Sequence, residues 1–379
     1  MCPNVRSRKL GWTGQVHPVS KSIMRALWRF PLAPAIEVAG WFSCKRAKSE
    51  GRPPAPLGAR ILTNPEHIFQ HNMWDHVQWS EEDKEYARQK VTENSREKIP
   101  VKEQAKFDID ASKYWDGFYE MHQNKFFKDR SWLFHEFPEL LTTGTPGCIL
   151  VPEPGEGRRN GTPIHQQGSG GDGETADFPG NQAPFRIFEI GCGAGNSVFP
   201  IISSIRGTGS FLYCCDFSPR AVQLVKDHPG YDGSVCHAFV HDIRQGGAVL
   251  PFPPRSLDVV LLVFMLSSVH PARVQDVVSR LAHFLKPGGV LLFRDYGRYD
   301  LSQLRFKKGR CLSENFYTRG DGTSVYFFTK DEVHELFKSA GLEEIQNLED
   351  RRLQVNRGKK VVMRRVWMQG KFRKPSPSP

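Results

Sequence analysis

The stretch from Phe185 to Ser197, FRIFEIGCGAGNS, constrains the fold more than any other part of the chain. Its apolar start predicts a buried strand, and the residues after Ser197 predict a helix. Between them stand three alternating glycines, at positions 191, 193 and 195. Glycine adopts positive φ and has no Cβ, so the backbone N–H groups of such a turn can approach a ligand closely. The stretch therefore predicts either a ligand-binding strand–turn–helix unit or simply a tight turn.

Predicted strands and helices alternate from residue 185 to about 348, which is typical of a parallel α/β sheet. The first five strands are predicted at 187–190, 210–215, 235–240, 257–264 and 290–293. Two closing strands are predicted at 342–348 and 361–369. The predicted fold is therefore α/β, with a seven-stranded, mostly parallel, Rossmann-like sheet.

Three features fall at the carboxyl ends of these strands, in register with the glycine turn. Asp216 ends the second strand, 21 residues after the last glycine, where a carboxylate can accept both hydroxyls of a ribose. Asp242 follows the third strand and can accept from an adenine amino group, while Val263, Phe264 and Met265 form an apolar wall. Either acid alone is equally explained as a helix cap or surface residue. Together with the G-x-G-x-G turn they resemble class I methyltransferases, so the predicted cofactor is S-adenosylmethionine (SAM).

A predicted helix precedes this region and carries aromatic residues at helical spacing. Trp115 and Tyr119 lie four residues apart in KYWDGFY and therefore share a helix face. That face either packs on the next domain or forms a lid over an adenosine-type ligand. A basic and aromatic cluster follows, with residues suited to stack on a base and hold phosphates: Phe126, Phe127, Lys128 and Arg130.

Composition divides the chain into four segments. Residues 1–50 hold nine Lys or Arg and two acids, which predicts a mitochondrial transit peptide or a disordered basic tail. Residues 51–140 are predicted to form a helical cap and RNA-binding region, and residues 141–183, rich in Gly, Pro, Ser and Thr, a disordered linker or insert. Residues 184–379 form the predicted catalytic domain. The first segment places the protein in the mitochondrial matrix, with the cytoplasm as the alternative.

The net charge of +11 favours a polyanionic partner. Ten Lys or Arg follow Asp350 without a single acid, which indicates either an RNA-facing edge or a solvated basic strand. No apolar run reaches the length of a membrane span. A membrane span is therefore not predicted. No metal site is predicted either, because the spacing of three histidines in the N-terminal region matches no zinc-ligand pattern: His67, His71 and His76.

Several longer blocks resemble the tRNA N3-methylcytidine methyltransferases of the methyltransferase-like family. These blocks include KYWDGFY, FFKDRSWL, FEIGCGAGNSVFP, YCCDFSPRAVQLV, LLFRDYGRYD, ENFYTRGDGTSVYFFT and RRLQVNR. The blocks APLGARIL and HNMWDHVQW resemble the mitochondrial member most closely. The resemblance implies methylation of cytidine 32 in the tRNA anticodon loop, in the mitochondrial case on tRNA-Thr and tRNA-Ser. It leaves open whether seryl-tRNA synthetase is a partner.

The resemblance also implies which residues line the SAM pocket: Trp115, Tyr119, Gly191, Asp216, Asp242 and Val263. A non-catalytic RNA-binding protein on the same fold is the competing prediction. Such a protein would be expected to lose the turn glycines or the acid of the second strand, and this sequence keeps both.

The chemistry of the base suggests the remaining candidates. Cytosine N3 has a lone pair at neutral pH, so no general base is obligatory, but methylation makes the ring cationic. A nearby carboxylate would stabilise that charge, and Asp295, just past the fifth strand, is the candidate catalytic residue. The alternative is a structural ion pair of Asp295 with Arg294 or Arg298. The target base must be unpaired or flipped, with Phe126, Phe127 and Tyr296 stacking on it and Lys128 and Arg130 holding flanking phosphates.

Overall fold

The computed structural model describes residues 60–141, 177–247 and 249–376. The predictions for residues 1–50 and for most of 141–183 lie outside these ranges. The α-helices of the described ranges are α1 Glu81–Ser95, α2 Val101–Ile109, α3 Ala111–His122, α4 Leu133–Glu136, α5 Val198–Ile205, α6 Pro219–Lys226, α7 Pro271–Phe284, α8 Leu301–Leu304 and α9 Lys330–Ser339. The strands are β1 Met73–Trp74, β2 Arg186–Ile190, β3 Phe211–Asp216, β4 Cys236–Val240, β5 Leu257–Val263, β6 Leu285–Tyr296, β7 Cys311–Ser313, β8 Phe316–Thr318, β9 Ser324–Tyr326, β10 Glu343–Asn356 and β11 Val361–Arg373.

The main sheet has eight strands in the order β1-β10-β11-β6-β5-β2-β3-β4 within the described ranges. Strands β2 to β6 pair in parallel, and β10 and β11 close the sheet in antiparallel fashion. These are the seven predicted strands. The eighth, β1, adds two residues from the N-terminal region, with Met73 opposite Gln354. Two residues are too few to give a periodic signal in the sequence.

Helices cover both faces of the parallel strands, so these strands are apolar on both sides. Every residue of β3 is buried. Alternate residues enter two separate cores: Phe188 and Val260 pack in one, and Ile187 and Val259 pack in the other. The chain runs from β2 to β4 toward one edge and then crosses back to β5. The carboxyl ends of β2 and β5 therefore mark the point where the strand order reverses, which is where such sheets bind ligands.

Three predicted boundaries need correction. Residues 177–183 are not part of a disordered linker, because Phe178 packs against the main core and the Arg186 Nε–H donates to the Gly180 carbonyl at 3.0 Å. Strand β6 begins at Leu285, before its predicted start, because the Gly288 N–H donates to the Lys374 carbonyl at 2.8 Å. The described part of the N-terminal cap shares the main core through Ala87, so residue 140 is not a physical domain boundary.

A small antiparallel sheet of β7, β8 and β9 was not predicted. Each of its strands has only three residues, and it lies between α8 and α9 in the chain. In the described part of the chain, no helix is long and apolar enough to cross a membrane.

Candidate active site

A cleft opens at the carboxyl ends of β2, β3, β4 and β5. Five of the predicted cofactor residues line it together: Trp115, Tyr119, Gly191, Asp216 and Asp242. The structure therefore joins residues from the cap helix and from three different strand ends around one cavity.

The glycine turn is built as its sequence predicts. Gly191, Gly193 and Gly195 have φ values of 70°, 55° and 88°, which L side chains rarely adopt. A Cβ on Gly191 would stand 2.3 Å from the Met265 Cγ, and a Cβ on Gly193 would stand 2.5 Å from the Tyr119 hydroxyl. The cap helix thus packs directly on the turn, and its Trp115 and Tyr119 also line the cleft, which supports the prediction of a lid.

Asp216 joins the turn to the next helix. It is 5% exposed, and its Oδ2 accepts from the Gly193 N–H at 2.9 Å while its Oδ1 accepts from the Ser218 N–H at 2.9 Å. Burial raises the pKa of Asp216 to about 6. Because each carboxylate oxygen can accept a second hydrogen bond, both oxygens retain capacity for ribose hydroxyls.

Asp242 is held by an arginine that also reaches the cap. The Arg244 Nε–H donates to the Asp242 Oδ1 at 2.9 Å, and its Nη2 donates to Oδ2 at 2.8 Å. The Arg244 Nη1 lies 3.1 Å from an oxygen of Asp108 at the end of α2, and Arg273 approaches the other oxygen at 2.9 Å. Burial opposes the charge of Asp242, but the Arg244 hydrogen bonds and charge prevail and lower the pKa of Asp242.

Helix α3 is fixed over the cleft by polar contacts to the start of α6. The Ser218 hydroxyl donates to the Asp116 Oδ1 at 2.5 Å, and the Ser112 hydroxyl donates to the Phe217 carbonyl at 2.9 Å. The rings of Trp115 and Tyr119 stack with their centroids 5.9 Å apart. These contacts hold the aromatic face of the helix toward the cleft.

The predicted apolar wall is divided between the cleft and the core. Phe264 and Met265 line the cleft. The side chain of Val263 packs with Val259 and Leu261 in the core on the opposite face of the sheet, because side chains alternate along β5. The role of Val263 toward the cofactor stays a prediction. Phe264 has a φ of 57°, a conformation that turns the chain out of the strand at the edge of the cleft.

A cluster of aromatic rings and arginines adjoins the cleft at Phe264. Its ring lies 5.1 Å from that of Tyr296, centroid to centroid. The Arg130 guanidinium lies 5.7 Å from the Phe264 ring, and the Arg319 guanidinium lies 5.9 Å from the Tyr296 ring. Tyr296 and Arg130 are predicted substrate contacts, whereas no role is predicted for Arg319.

Arg130 is turned inward in this structure, which disfavours its predicted contact with an external phosphate. Its side chain is 15% exposed, its Nη1 donates to the Ser197 hydroxyl at 2.7 Å, and the same atom lies 3.7 Å from the Glu189 Oε1. Glu189 is fully buried at the end of β2, and its carboxylate accepts no hydrogen bond from the described residues. Burial, partly opposed by the Arg130 charge, raises the pKa of Glu189 to about 7.

Glu189 was not predicted as a site residue, although a charged residue inside an apolar strand directly before the glycine turn was a visible signal.

The other members of the FFKDR cluster differ in how exposed their side chains are. Phe126 is half-buried, with its ring 4.9 Å from that of Phe118, while Phe127 and Lys128 are exposed. Of the four residues predicted to contact the substrate here, Phe127 and Lys128 are thus the ones open to a large ligand in this structure.

Asp295 is fully buried and bonded to the backbone. Its Oδ2 accepts from the Ser267 N–H at 2.9 Å, and its Oδ1 accepts from the Tyr296 N–H at 2.8 Å. Arg294 pairs instead with Asp350 and Arg298 with Glu332, so the predicted structural ion pair is wrong. Direct contact of Asp295 with a base is equally excluded in this arrangement. Burial raises the pKa of Asp295 to about 6.

The basic C-terminal segment is less open than its sequence indicates. Five of its cations pair with carboxylates: Arg351, Arg352, Arg364, Arg365 and Lys371. The acids come from β10 itself, from the N-terminal region and from Asp300. The turn between β10 and β11, Arg357–Lys360, keeps exposed basic residues at the end of the hairpin. The predicted RNA-facing charge is therefore concentrated at this turn.

Comparison with known proteins identifies related chains. Residues 188–291 match the family model described as "Methyltransferase domain". The chain is 54% identical over 344 residues to the tRNA N(3)-cytidine methyltransferase METTL2 of Danio rerio, an alignment that covers 89% of this chain and 94% of the relative. It is 47% identical over 353 residues to METTL2B of Homo sapiens, covering 84% of this chain and 93% of the relative.

A second type of relative aligns over a shorter span. The mitochondrial tRNA N(3)-cytidine methyltransferase METTL8 of Mus musculus is 50% identical over 258 residues, covering 60% of this chain and 92% of the relative. The similarity to METTL2 proteins therefore extends over more of the chain than the similarity to METTL8.

Proposed function

The chain belongs to the tRNA N(3)-cytidine methyltransferases, and from this premise we propose that it methylates N3 of a cytidine in tRNA with SAM as the methyl donor. The observation that carries the proposal is the cleft itself. It combines a glycine turn, two strand-end carboxylates and an aromatic lid with a second cluster of rings at Phe264, where a base can be received.

The residues present fit SAM. Gly191 lines the cleft where the amino-acid tail would lie, Asp216 has acceptor capacity for the ribose, and Asp242 faces the cleft where an adenine amino group would lie. Trp115 and Tyr119 cover the cleft from the cap helix. When bound, SAM supplies a methyl group on a sulfonium centre.

The remaining task of the protein is to align the base and exclude water. The nucleophile is the N3 lone pair of cytosine, so a bond forms from N3 to the methyl carbon and no proton leaves. The ring then carries a positive charge. Asp295 is ionised above a pH of about 6 and stabilises that charge through space from behind Tyr296, rather than by contact.

The flanking RNA is assigned to the exposed residues. We propose that Phe127 and Tyr296 stack on the extruded base, with Phe126 supporting the ring of Phe127 at 4.7 Å. Lys128 and the hairpin turn Arg357–Lys360 hold phosphates, because they are exposed and basic.

The finer assignment is that the substrate is cytidine 32 of the anticodon loop, on mitochondrial tRNA-Thr and tRNA-Ser. The basic, acid-poor residues 1–50 and the 50% identity to the mitochondrial METTL8 support it. The longer alignment with METTL2 proteins supports the alternative, a cytoplasmic enzyme acting on cytosolic tRNA. A requirement for seryl-tRNA synthetase stays a prediction.

The test incubates the full chain with isotopically labelled SAM and with separate pools of mitochondrial and cytosolic tRNA. Mass spectrometry of nucleosides and of mapped fragments then locates N3-methylcytidine. We expect product at position 32, and its absence after replacement of that cytidine by uridine. Product in neither pool, with or without seryl-tRNA synthetase and with SAM binding intact, would contradict the proposed function. Product confined to the cytosolic pool would overturn only the mitochondrial assignment.

A further inference from the structure

The turn between β8 and β9 lies at the active site although the proposed function gives it no role. The Arg319 N–H donates to the Thr323 carbonyl at 2.7 Å, and the Gly322 N–H donates to the Arg319 carbonyl at 3.1 Å. The Asp321 Oδ1 accepts from the Thr323 N–H at 2.9 Å. These bonds close the turn on itself, which limits its freedom to move.

The same turn packs against the helix that covers the cofactor cleft. Gly322 has a φ of 88°, and a Cβ at that position would stand 2.2 Å from the Tyr114 Cδ1. Tyr114 precedes Trp115, which lines the cleft. The turn is therefore fixed at the rim of the active site by direct contact with α3.

Arg319 projects from this turn toward the aromatic cluster. Its Nη1 donates to the Thr323 hydroxyl at 3.3 Å and to the Ser324 carbonyl at 3.2 Å. Its Nε–H and Nη2 make no hydrogen bond to any residue that the structure describes. The guanidinium lies over the ring of Tyr296, which in turn contacts Phe264 at the edge of the cleft. Two unused donor groups of Arg319, Nε–H and Nη2, thus lie beside the ring of Tyr296, which is proposed to stack on the base.

The chemistry of cytosine decides which atom these donors suit. Its Watson–Crick edge offers an N4 amino donor and two acceptors, N3 and O2. The N3 lone pair must face the methyl group, so it is not available to a donor during the reaction. A guanidinium only donates hydrogen bonds, which leaves O2 as its acceptor on this edge.

We propose that Arg319 is a base-contacting residue that donates a hydrogen bond to O2 of the target cytosine and so sets the orientation of N3. The inference rests on the proposed function. A cation beside a ring that becomes positive would oppose the reaction if it stood alone. The carboxylate of Asp295, in the residue before Tyr296, interacts with the Arg319 charge and offsets it.

The test compares two variants on two substrates. Arg319→Ala removes the donor, and Arg310→Ala is the matched control because Arg310 is an exposed arginine just before β7 in the same small sheet. The tRNA carries either cytidine or 2-thiocytidine at the target position, since sulfur at position 2 is a weak acceptor. Initial rates, SAM affinity and thermal unfolding are measured for the full chain.

We expect Arg319→Ala to lower kcat/KM on cytidine by about 30-fold, with SAM affinity within twofold of the unmodified protein. The 2-thio substitution should lower the rate of the unmodified enzyme by about tenfold and have no further effect in Arg319→Ala. Arg319→Lys, which keeps one donor, should recover part of the activity. Arg310→Ala should keep the full 2-thio effect.

Two results would overturn the inference while leaving the proposed function intact. One is a 2-thio effect of equal size in the unmodified enzyme and in Arg319→Ala. The other is a loss of SAM affinity or thermal stability in Arg319→Lys that matches its loss of activity, since this indicates a purely structural role. Absence of N3-methylcytidine with the unmodified enzyme would instead overturn the proposed function, and this inference with it.

Discussion

Replacement of Gly193 by alanine tests whether the lid and the glycine turn form one unit. The backbone at this position has a φ of 55°, which costs an L residue about 1–2 kcal/mol. The new Cβ would also stand 2.5 Å from the Tyr119 hydroxyl, about 1 Å inside ordinary contact. Tyr119 is buried, so it can only yield by leaving its rotamer, at about 1 kcal/mol more. We expect a total loss of about 2–3 kcal/mol in the free energy of unfolding.

The displacement should also weaken SAM binding by at least tenfold, because Tyr119 lines the cleft. Gly207→Ala is the matched control: its φ is 77°, and a Cβ there would meet nothing within 4 Å. It should show only the backbone cost and unchanged SAM affinity. Adding Tyr119→Phe to Gly193→Ala removes the obstructing oxygen and should restore part of the affinity.

Urea denaturation and calorimetric titration with SAM measure both effects. Equal SAM affinities for Gly193→Ala and Gly207→Ala would refute the argument that the lid rests on the turn. Failure of Tyr119→Phe to restore any affinity would place the defect in the turn itself.

Three further predictions address the cap, the charge and the RNA surface. Asp108→Ala removes a partly buried ion pair that ties α2 to the cleft, and should lower the free energy of unfolding in urea by about 2 kcal/mol. Arg273 is half-exposed, so Arg273→Ala should lower it by less than ~1 kcal/mol. Equal losses in the two variants would contradict this prediction. Since the pKa of Asp295 is about 6, kcat at saturating SAM should fall as the pH drops through 6, and Asp295→Asn should lower kcat at pH 8 and flatten that decline. The double variant Arg357→Ala/Lys360→Ala should reduce the slope of log tRNA affinity against log salt by about 1.5 with SAM affinity unchanged; an unchanged slope would remove the hairpin turn from the RNA surface.

The sequence was sufficient to predict the parallel sheet and the convergence of five predicted cofactor residues on one cleft. Alternation of apolar strands with amphipathic helices predicts where strands end, and in a parallel sheet those ends meet at one edge. Gly191, Asp216 and Asp242 each lie at or just after such an end, so their convergence could be inferred without coordinates. Two interpretations of Trp115 and Tyr119 were open from the sequence, and the position of both residues in the lining of the cleft supports the lid.

The substrate side of the site was predicted less well, because it depends on which distant charges neutralise each other. Arg130 has the sequence environment of a phosphate ligand. In the folded chain it lies against Glu189, 59 positions away, and its side chain is largely buried. Five of the ten cations after Asp350 pair in the same way with acids of β10, of the N-terminal region or with Asp300. Charge counts along a sequence record no such pairings.

What the sequence determined by itself is local: the periodicity of the elements, the ends of the strands, and a turn whose positive φ values require glycine. What only the tertiary structure decided is the distance between segments far apart in the chain. It brings Arg319, in a three-stranded sheet too short to be recognised from its pattern, over the ring of Tyr296. It also buries Asp295 against two backbone N–H groups, so the role proposed for its charge is one that acts through space and not by contact. Both outcomes follow from packing, since burial and proximity are properties of the folded chain as a whole and not of any one segment.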